Sequence, residues 1–583
     1  MHRVDNLAVA RLLAETGDLL EIKGDNPFKI RAYRNAAETV STAGGPVTEM
    51  TEAQLLQMPG IGKDLAARIR EMAATGTTTF HQALLAEFPP TILDLLHLQG
   101  VGPRTVKQLY TELGIKTLDD LEAAARDGRL KGLRGMGEKK QALILRAVDE
   151  RKRHAGRHLL TETHGIATAL VAYLQAAAPD VELHAVGSLR RGCETCGDLD
   201  ILAVGGTLAL AEKFLVYGAV ERILGRGDTK ASVLLSGGFQ ADLRFVPSAS
   251  RGAAMQYFTG SKAHNIVLRD RAIQRGLKLN EYGLYDAAGT AVAGADEEGI
   301  YAALGLAWVP PDLRENRGEI EAAAESRLPR LIERSDLRGD LHSHTTATDG
   351  KDDILTMARA ARAAGLEYLA ITDHSKALAM ANGLDERRAL EHARAIRAAN
   401  GQVEGITLLA GIECDIRVDG TMDLADDCLA ELDYVVASVH SSFTLDESAM
   451  TDRLLKAIEC PWVDTMGHPT GRLLLRREPI RARLDTVFDA AAERGVAFEI
   501  NCLSDRLDLG DVQARQARER GVSIVIATDS HSQAGFESLR WGVQVARRAW
   551  LTSGDVLNTR SLADFRSALR RNRSARATAR RRS

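Results

Sequence analysis

The stretch RGDLHSHTTATDG, residues 338–350, ends a short apolar run on two histidines two positions apart, with an aspartate in the loop behind them. Alternate side chains of a strand share a face, so His342 and His344 point the same way, with Asp349 nearby in the chain. Further on, apolar runs alternate with helical patterns: YLAITDHS, TLLAGIECDI, YVVASVHS, VDTMGHP, VAFEINC and VSIVIATDSH. That alternation predicts parallel β/α architecture. The runs end on Asp373 and His374, on Glu413, on His440, on His468, and on Asp529 and His531. A β/α barrel gathers its strand C-termini at one face, so these residues converge although distant in sequence. A single histidine is more often a core or surface residue, but the same type at successive strand ends is hard to reach by chance. Mixed imidazoles and carboxylates suit Zn²⁺, Mn²⁺ or Fe²⁺. The candidates exceed what one ion takes and are enough for three. Such a site generates hydroxide near neutral pH and clamps a phosphodiester.

A second carboxylate cluster lies upstream. Asp198 and Asp200 stand two apart in GDLDIL, at a strand start, and share a face. Asp242, in FQADLRFV, opens another strand-like run and completes the set. Convergent carboxylates hold Mg²⁺ or Mn²⁺ and leave positions open for phosphate oxygens. In GSLRRG, a Gly187–Ser188 turn entering a helix offers N–H and hydroxyl donors to a phosphate, and Arg191 adds charge. The conjunction fits nucleotidyl transfer. A lone D-x-D would be weak.

The N-terminal region, 1–155, reads as helical. A pattern recurs three times, in MPGIGKDLAARI, LQGVGPRTVKQL and LRGMGEKKQALI: an apolar residue, G-x-G, then a helix. Each turn aims backbone N–H groups at an anion site suited to a DNA phosphate. Gly60, Gly62, Lys63, Gly100 and Gly102 are the candidate contacts. The chain has 583 residues and a net charge of −4, so nucleic-acid binding must rest on local patches. Six cysteines make no disulfide scaffold, and Cys193-x-x-Cys196 has no second pair. No apolar run spans a membrane, and the N-terminus lacks the apolar core of a signal peptide. A soluble, reduced, cytoplasmic protein is expected. The Arg-rich segment 570–583 reads as a disordered basic tail.

The three G-x-G repeats resemble helix-hairpin-helix motifs, which bind the DNA backbone without reading sequence. GSLRRG with GDLDIL, and YFTGSKAHN (257–265), resemble the family X DNA polymerases. The resemblance implies that Asp198, Asp200 and Asp242 are the catalytic metal-binding triad and that Ser188, Arg191 and Gly197 contact the triphosphate. It implies sugar and base contacts for Tyr257, Phe258, Gly260 and Asn265, and a DNA contact for Lys230 in GDTK. Two departures stand out. Arg68 occupies the place of the Schiff-base lysine in the family's repair members, and Arg cannot readily become an amine nucleophile, which argues against deoxyribose-phosphate lyase activity. Gln240 stands where vertebrate members carry Arg.

The downstream half resembles the PHP (polymerase and histidinol phosphatase) domain, a phosphoesterase on a distorted (β/α)7 barrel. Its ligand set maps onto His342, His344, Asp349, His374, Glu413, His440, His468, Asp529 and His531. Asp373 then falls outside the set.

The expected fold is multidomain α+β and α/β: a helix-hairpin-helix region (1–155), a nucleotidyltransferase palm with a fingers/thumb-like part (156–312), a linker (313–336), the barrel (337–569) and the tail. The expected function is repair synthesis, including base excision repair. A monomer would fill gapped or nicked DNA from dNTPs, using Mg²⁺ or Mn²⁺ at the palm. The barrel, with three ions of the Zn²⁺, Mn²⁺ or Fe type, would act as a 3′–5′ exonuclease or a 3′-end or abasic-site processor. The alternatives are a polymerase with a structural barrel, a non-catalytic DNA-binding scaffold, and a small-molecule phosphatase.

Overall fold

The computed structural model describes residues 6–41 and 47–569, apart from 90, 97, 99, 100, 134, 139, 146, 147, 149–155 and 207. Gly100 and the basic tail therefore lie outside the described residues. The chain forms two compact units, one of residues 1–155 and 475–477 and one of residues 156–474 and 478–583.

The first unit is helical. Apolar residues spaced three and four apart, such as Leu65, Ile69 and Met72 on Lys63–Thr75, and Val106 and Leu109 on Pro103–Leu113, face one core. The three repeats close the same way. Ile61, Val101 and Met136 are buried, and their N–H groups donate to the carbonyls of Met58, Leu98 and Leu133 at 3.2, 3.1 and 3.1 Å.

The second unit opens with a five-stranded sheet. Its strands are β1 (Glu182–Ala185), β2 (Asp198–Val204), β3 (Val220–Arg226), β4 (Lys230–Leu235) and β5 (Phe239–Val246), in the order β1-β2-β5-β4-β3. Only β2 and β5 run parallel. Helices Leu160–Ala177 and Leu208–Leu215 cover one face, burying Leu199, Ile201, Ala241 and Leu243. A small antiparallel sheet follows, of β6 (Lys278–Asn280), β7 (Gly283–Tyr285) and β8 (Ala291–Ala293).

The barrel has seven strands: β9 (Gly339–Asp340), β10 (Tyr368–Ile371), β11 (Thr407–Asp415), β12 (Tyr434–Ser438), β13 (Thr465–Met466), β14 (Ala497–Asn501) and β15 (Ile524–Ala527). They are parallel and ordered as in the chain. A parallel bridge between Ser343 and Ser530 brings the first and last strands together, so the barrel is nearly closed. Both strand faces are buried. Tyr368 and Ala370 face the interior core with Phe565, while Leu369 and Ile371 pack on the outer helices. This explains why these strands read as continuous apolar runs. Asp353, Asp385 and Asp446 cap three of the outer helices.

Residues 313–336 are not a free spacer. They contain a helix, Glu319–Ala324, and Leu313, Ile320, Ala323 and Leu331 are buried in one core with Leu268, Leu284 and Trp550. Arg314 is wholly buried beside Glu297 (2.7 Å), which the charged composition concealed. The six cysteines are free thiols. Among the described residues no helix is long and apolar enough to cross a membrane.

Candidate active sites

On the sheet, Asp200 lies opposite Asp242 and Asp198 opposite Gln240. The pleat therefore puts all three aspartates on the face away from the helices. Asp198 is exposed and Asp242 buried. Burial, then the like charge of Asp198, raises the Asp200 carboxyl to about 6. Crowded carboxylates of this kind suit a divalent cation. Lys230 is not turned outward. Its Nζ lies 2.6 Å from Asp242 Oδ2. Gln240, the departure noted above, and Arg244, which was not foreseen, both touch the trio. Gln240 donates to Asp242 Oδ1 at 3.2 Å, and Arg244 lies 3.6 Å from Asp200 and 3.8 Å from Asp242. The signal for Arg244 was its period-two spacing from Asp242.

The turn Gly187–Arg190 begins beside Asp200. Gly187 has φ +66°, and a Cβ there would sit 3.1 Å from Asp200 Oδ2, so glycine keeps the turn against the carboxylate. Ser188 is half-buried on this turn, and Gly197 is exposed next to Asp198. Arg191 is already engaged, by Glu315 at 2.9 Å and the Thr259 carbonyl at 2.5 Å. Helix Arg251–Thr259 presents Tyr257 and Phe258, and the Arg244 guanidinium lies 4.5 Å from the Phe258 ring centre. The helix stops at Gly260 (φ +70°), and the Gly260–Ser261 peptide is cis. Asn265 spans this break, donating to the Tyr257 carbonyl (2.7 Å) and accepting from Gln256 (2.7 Å).

In the barrel, the predicted side chains meet at the strand C-termini. Buried Glu413 is central: His374 lies 2.7 Å from it, His468 2.9 Å, His440 3.3 Å and His342 3.5 Å. Asp529 lies 3.1 Å from His344, and Asp349 is 3.4 Å from His374 and 3.5 Å from His531. The donors fall into three overlapping groups, each compact enough for an ion: His344, Asp349, His374 and His531; His342, His344 and Asp529; His374, Glu413 and His440. His342 Nε2, both His344 nitrogens, His374 Nδ1, Glu413 Oε2 and His440 Nδ1 are buried and make no hydrogen bond. Buried polar atoms are rarely left so, and divalent cations fit them. His468 and Asp529 hold positive φ, +25° and +54°, uncommon for non-glycine residues.

Burial, then neighbouring His531 and His374, lowers His344 to about 4, leaving a neutral imidazole able to ligate. Burial opposes charge on His374, but Glu413 and Asp349 outweigh it and hold it at about 10. A cation there takes the proton's place.

A surrounding layer was missed in sequence. Glu499 Oε1 accepts from His342 Nδ1 at 2.8 Å. Such contacts fix a ring's tautomer and direction. Asp373 turns away, accepting from Thr345, Thr348 and His392. It pins the loop that carries Asp349.

In the helical unit, Gly62 and Gly102 precede helices with nearly equal backbone angles (φ −89°, ψ 176°; φ −87°, ψ 173°) and no side-chain cap. The first N–H groups of each helix thus have no capping side chain. Gly60 has φ +74°, and Lys63 is exposed at the start of its helix. Arg68 bonds Asp64 and lies 4.3 Å from the Phe80 ring centre.

Family models match in chain order. They are a helix-hairpin-helix domain (4–78), a SAM-like helix-hairpin-helix tandem (92–150), a DNA polymerase beta palm (160–224), a DNA polymerase beta thumb (254–315) and a PHP domain (340–502). The chain is 37% identical over 98% of its length to the whole of a DNA polymerase/3′-5′ exonuclease PolX of Bacillus subtilis (strain 168). Its barrel is similar to probable phosphatases. One from Thermoanaerobacter sp. (strain X514) is 29% identical over 38% of this chain and 89% of its own length. Another, from Shewanella sp. (strain MR-4), is 31% identical over 34% of this chain and 79% of its own length. Matched end to end at that identity, with palm, thumb and PHP models in the same order, the chain belongs to the PolX family, the family X DNA polymerases that carry a C-terminal PHP domain.

Proposed function

We propose that the protein fills short gaps in damaged DNA at the palm and trims 3′ ends at the barrel. The observation that carries this reading is the presence on one chain of the aspartate trio on β2 and β5 and the Glu413-centred cluster at the barrel mouth. Asp198, Asp200 and Asp242 hold Mg²⁺ or Mn²⁺. The nine barrel ligands, His342, His344, Asp349, His374, Glu413, His440, His468, Asp529 and His531, hold three ions of the Zn²⁺, Mn²⁺ or Fe type. When bound, such ions supply charge to phosphate oxygens and acidify the attacking hydroxyl or water. The chain's own groups do the rest. The Gly187–Ser188 turn, Arg191 and Gly197 receive the dNTP triphosphate, and Tyr257, Phe258, Gly260 and Asn265 its sugar and base. Lys230 and Arg244 balance the aspartates. The turns at Gly60, Gly62 and Lys63, and at Gly102, take phosphates of the gapped or nicked duplex. The protein works as a cytoplasmic monomer.

The likeness of the barrel to probable phosphatases favours a second reading of that site, removal of a blocking 3′ phosphate. The test incubates the protein with Mn²⁺ and a one-nucleotide-gapped duplex whose primer is 5′-labelled, with and without dNTPs. Extension with dNTPs and shortening without them are expected. A protein that does neither overturns the reading. Release of phosphate from a 3′-phosphorylated primer, without shortening, selects the second reading of the barrel.

A further inference from the structure

Among the contacts between palm and barrel, one arginine also reaches a loop of the barrel site. Arg472, four positions after His468, is 8% exposed. Its guanidinium forks onto Glu194 of the palm, with Nη1 3.2 Å from Oε1 and Nη2 2.6 Å from Oε2. Glu194 lies four positions before Asp198. The same guanidinium donates inward, through Nε to the Arg506 carbonyl at 3.0 Å and through Nη2 to the Leu507 carbonyl.

Those carbonyls belong to the loop that leaves β14. Its ends are tied to the barrel cluster. Asn501 donates through Nδ2 to Asp529 Oδ2 (3.1 Å) and Glu499 Oε2 (3.2 Å), and its N–H donates to the Asp508 carbonyl (2.6 Å). Asp508 in turn accepts from Thr470 N–H (3.0 Å) and Oγ1 (2.8 Å), two residues after His468. Leu507 holds φ +42°, a conformation that needs outside support. Arg472 supplies support from within the barrel, but a buried guanidinium needs a counter-charge. Among the described residues Glu194, from the palm, is the carboxylate paired directly with it, while buried Asp508 of the barrel attracts it without a direct pair.

We propose that Arg472 is a positioning residue for the barrel site and that Glu194 of the palm holds it in place. The polymerase domain thereby completes the loop bracing His468, Glu499 and Asp529. The catalytic part of this inference rests on reading the barrel as a nuclease.

The test uses the full-length chain. Glu194 is the residue to change, because its side chain is 35% exposed and Glu194→Gln is isosteric. Hydrogen exchange at the Leu503–Leu507 amides should speed up in Glu194→Gln. The trimming kcat should fall roughly tenfold while KM for the primer duplex stays unchanged, the signature of lost positioning. In an Arg472→Lys background, Glu194→Gln should add nothing further, because the two act through one contact. Unchanged loop exchange in Glu194→Gln, or additive losses in the double variant, would overturn the proposal. If the wild type does not trim DNA, the nuclease reading fails, and the exchange experiment still decides whether Glu194 holds the loop.

Discussion

The two sites solve the same electrostatic problem differently. The aspartate trio comes from two neighbouring strands and lies on an open sheet face, with Asp198 exposed and Lys230 and Arg244 as its counter-charges. The barrel cluster draws side chains from around the whole barrel mouth, and His342, His344, His374, Glu413, His468 and Asp529 are buried there. The palm site is left for substrate to complete, whereas the barrel site is enclosed by protein. Substitutions should separate them cleanly. Asp242→Asn should cut primer extension by roughly 10³-fold, about 4 kcal/mol of barrier, and leave trimming intact. Glu413→Ala should do the converse. A variant that loses both activities while keeping its melting temperature would break the division. Brief chelation should stop extension before trimming, since the enclosed ligands release ions more slowly. This is read by assaying both at intervals after adding EDTA.

Acid should find the palm side first. Glu297 joins Arg190, on the turn beside the aspartates, to wholly buried Arg314. Burial opposes ionisation of Glu297, but the two arginines outweigh it and hold its carboxyl at about 2, below the ordinary 4.5. The lowered value means that its stabilisation is complete above pH 4.5 and lost as the pH falls through 2. Glu297→Gln should cost on the order of 3 kcal/mol near neutrality, partly by leaving Arg314 uncompensated. The gap between the melting temperatures of variant and wild type should close from pH 4.5 downward, and a gap that persists at pH 2 would refute the assignment.

A smaller effect is expected where the barrel supports its own ligands. Glu499→Gln should lower trimming roughly 10- to 100-fold by freeing the His342 ring, and added Mn²⁺ should restore part of it. Extension should not change. This residue also marks the limit of what the sequence could convey. Asp349 in its loop excepted, the ligands were legible because each closes an apolar run, with period two aligning His342 with His344 and Asp529 with His531. Glu499 sits inside such a run, VAFEINC, and its partner is 157 positions away. Nothing local distinguishes it from a strand residue. Glu194 and Arg472, 278 positions apart, were invisible for the same reason.

Legibility in the palm divided along the same line. Alternation on β2 and β5 aligned Asp198, Asp200 and Asp242, but not what neutralises them. Lys230 entered only as a DNA contact implied by the resemblance of GDTK, yet the register of β4 on β5 sets Lys230 opposite Arg244 and brings its ammonium to Asp242. Residues 313–336 read as a linker because their charges are dense, and only tertiary pairing shows that Arg314 is buried against Glu297 and the neighbouring aromatic rings of Tyr301 and Trp308.

The finest difference between the sites concerns a neutral group. Gln240 gives Asp242 one uncharged hydrogen bond on an otherwise charged face. Its loss is worth about 1 kcal/mol, so Gln240→Ala should slow extension roughly fivefold and leave trimming unchanged. Gln240→Arg should act in the other direction on the ion, adding a third positive charge beside the aspartates and raising the Mg²⁺ concentration needed for half-maximal extension. Titrating both variants with Mg²⁺ separates the effects. If Gln240 only orients the carboxylate, the alanine variant keeps the wild-type Mg²⁺ midpoint with a lower plateau. A shifted midpoint instead would mean that Gln240 helps set the affinity of the trio for its cation.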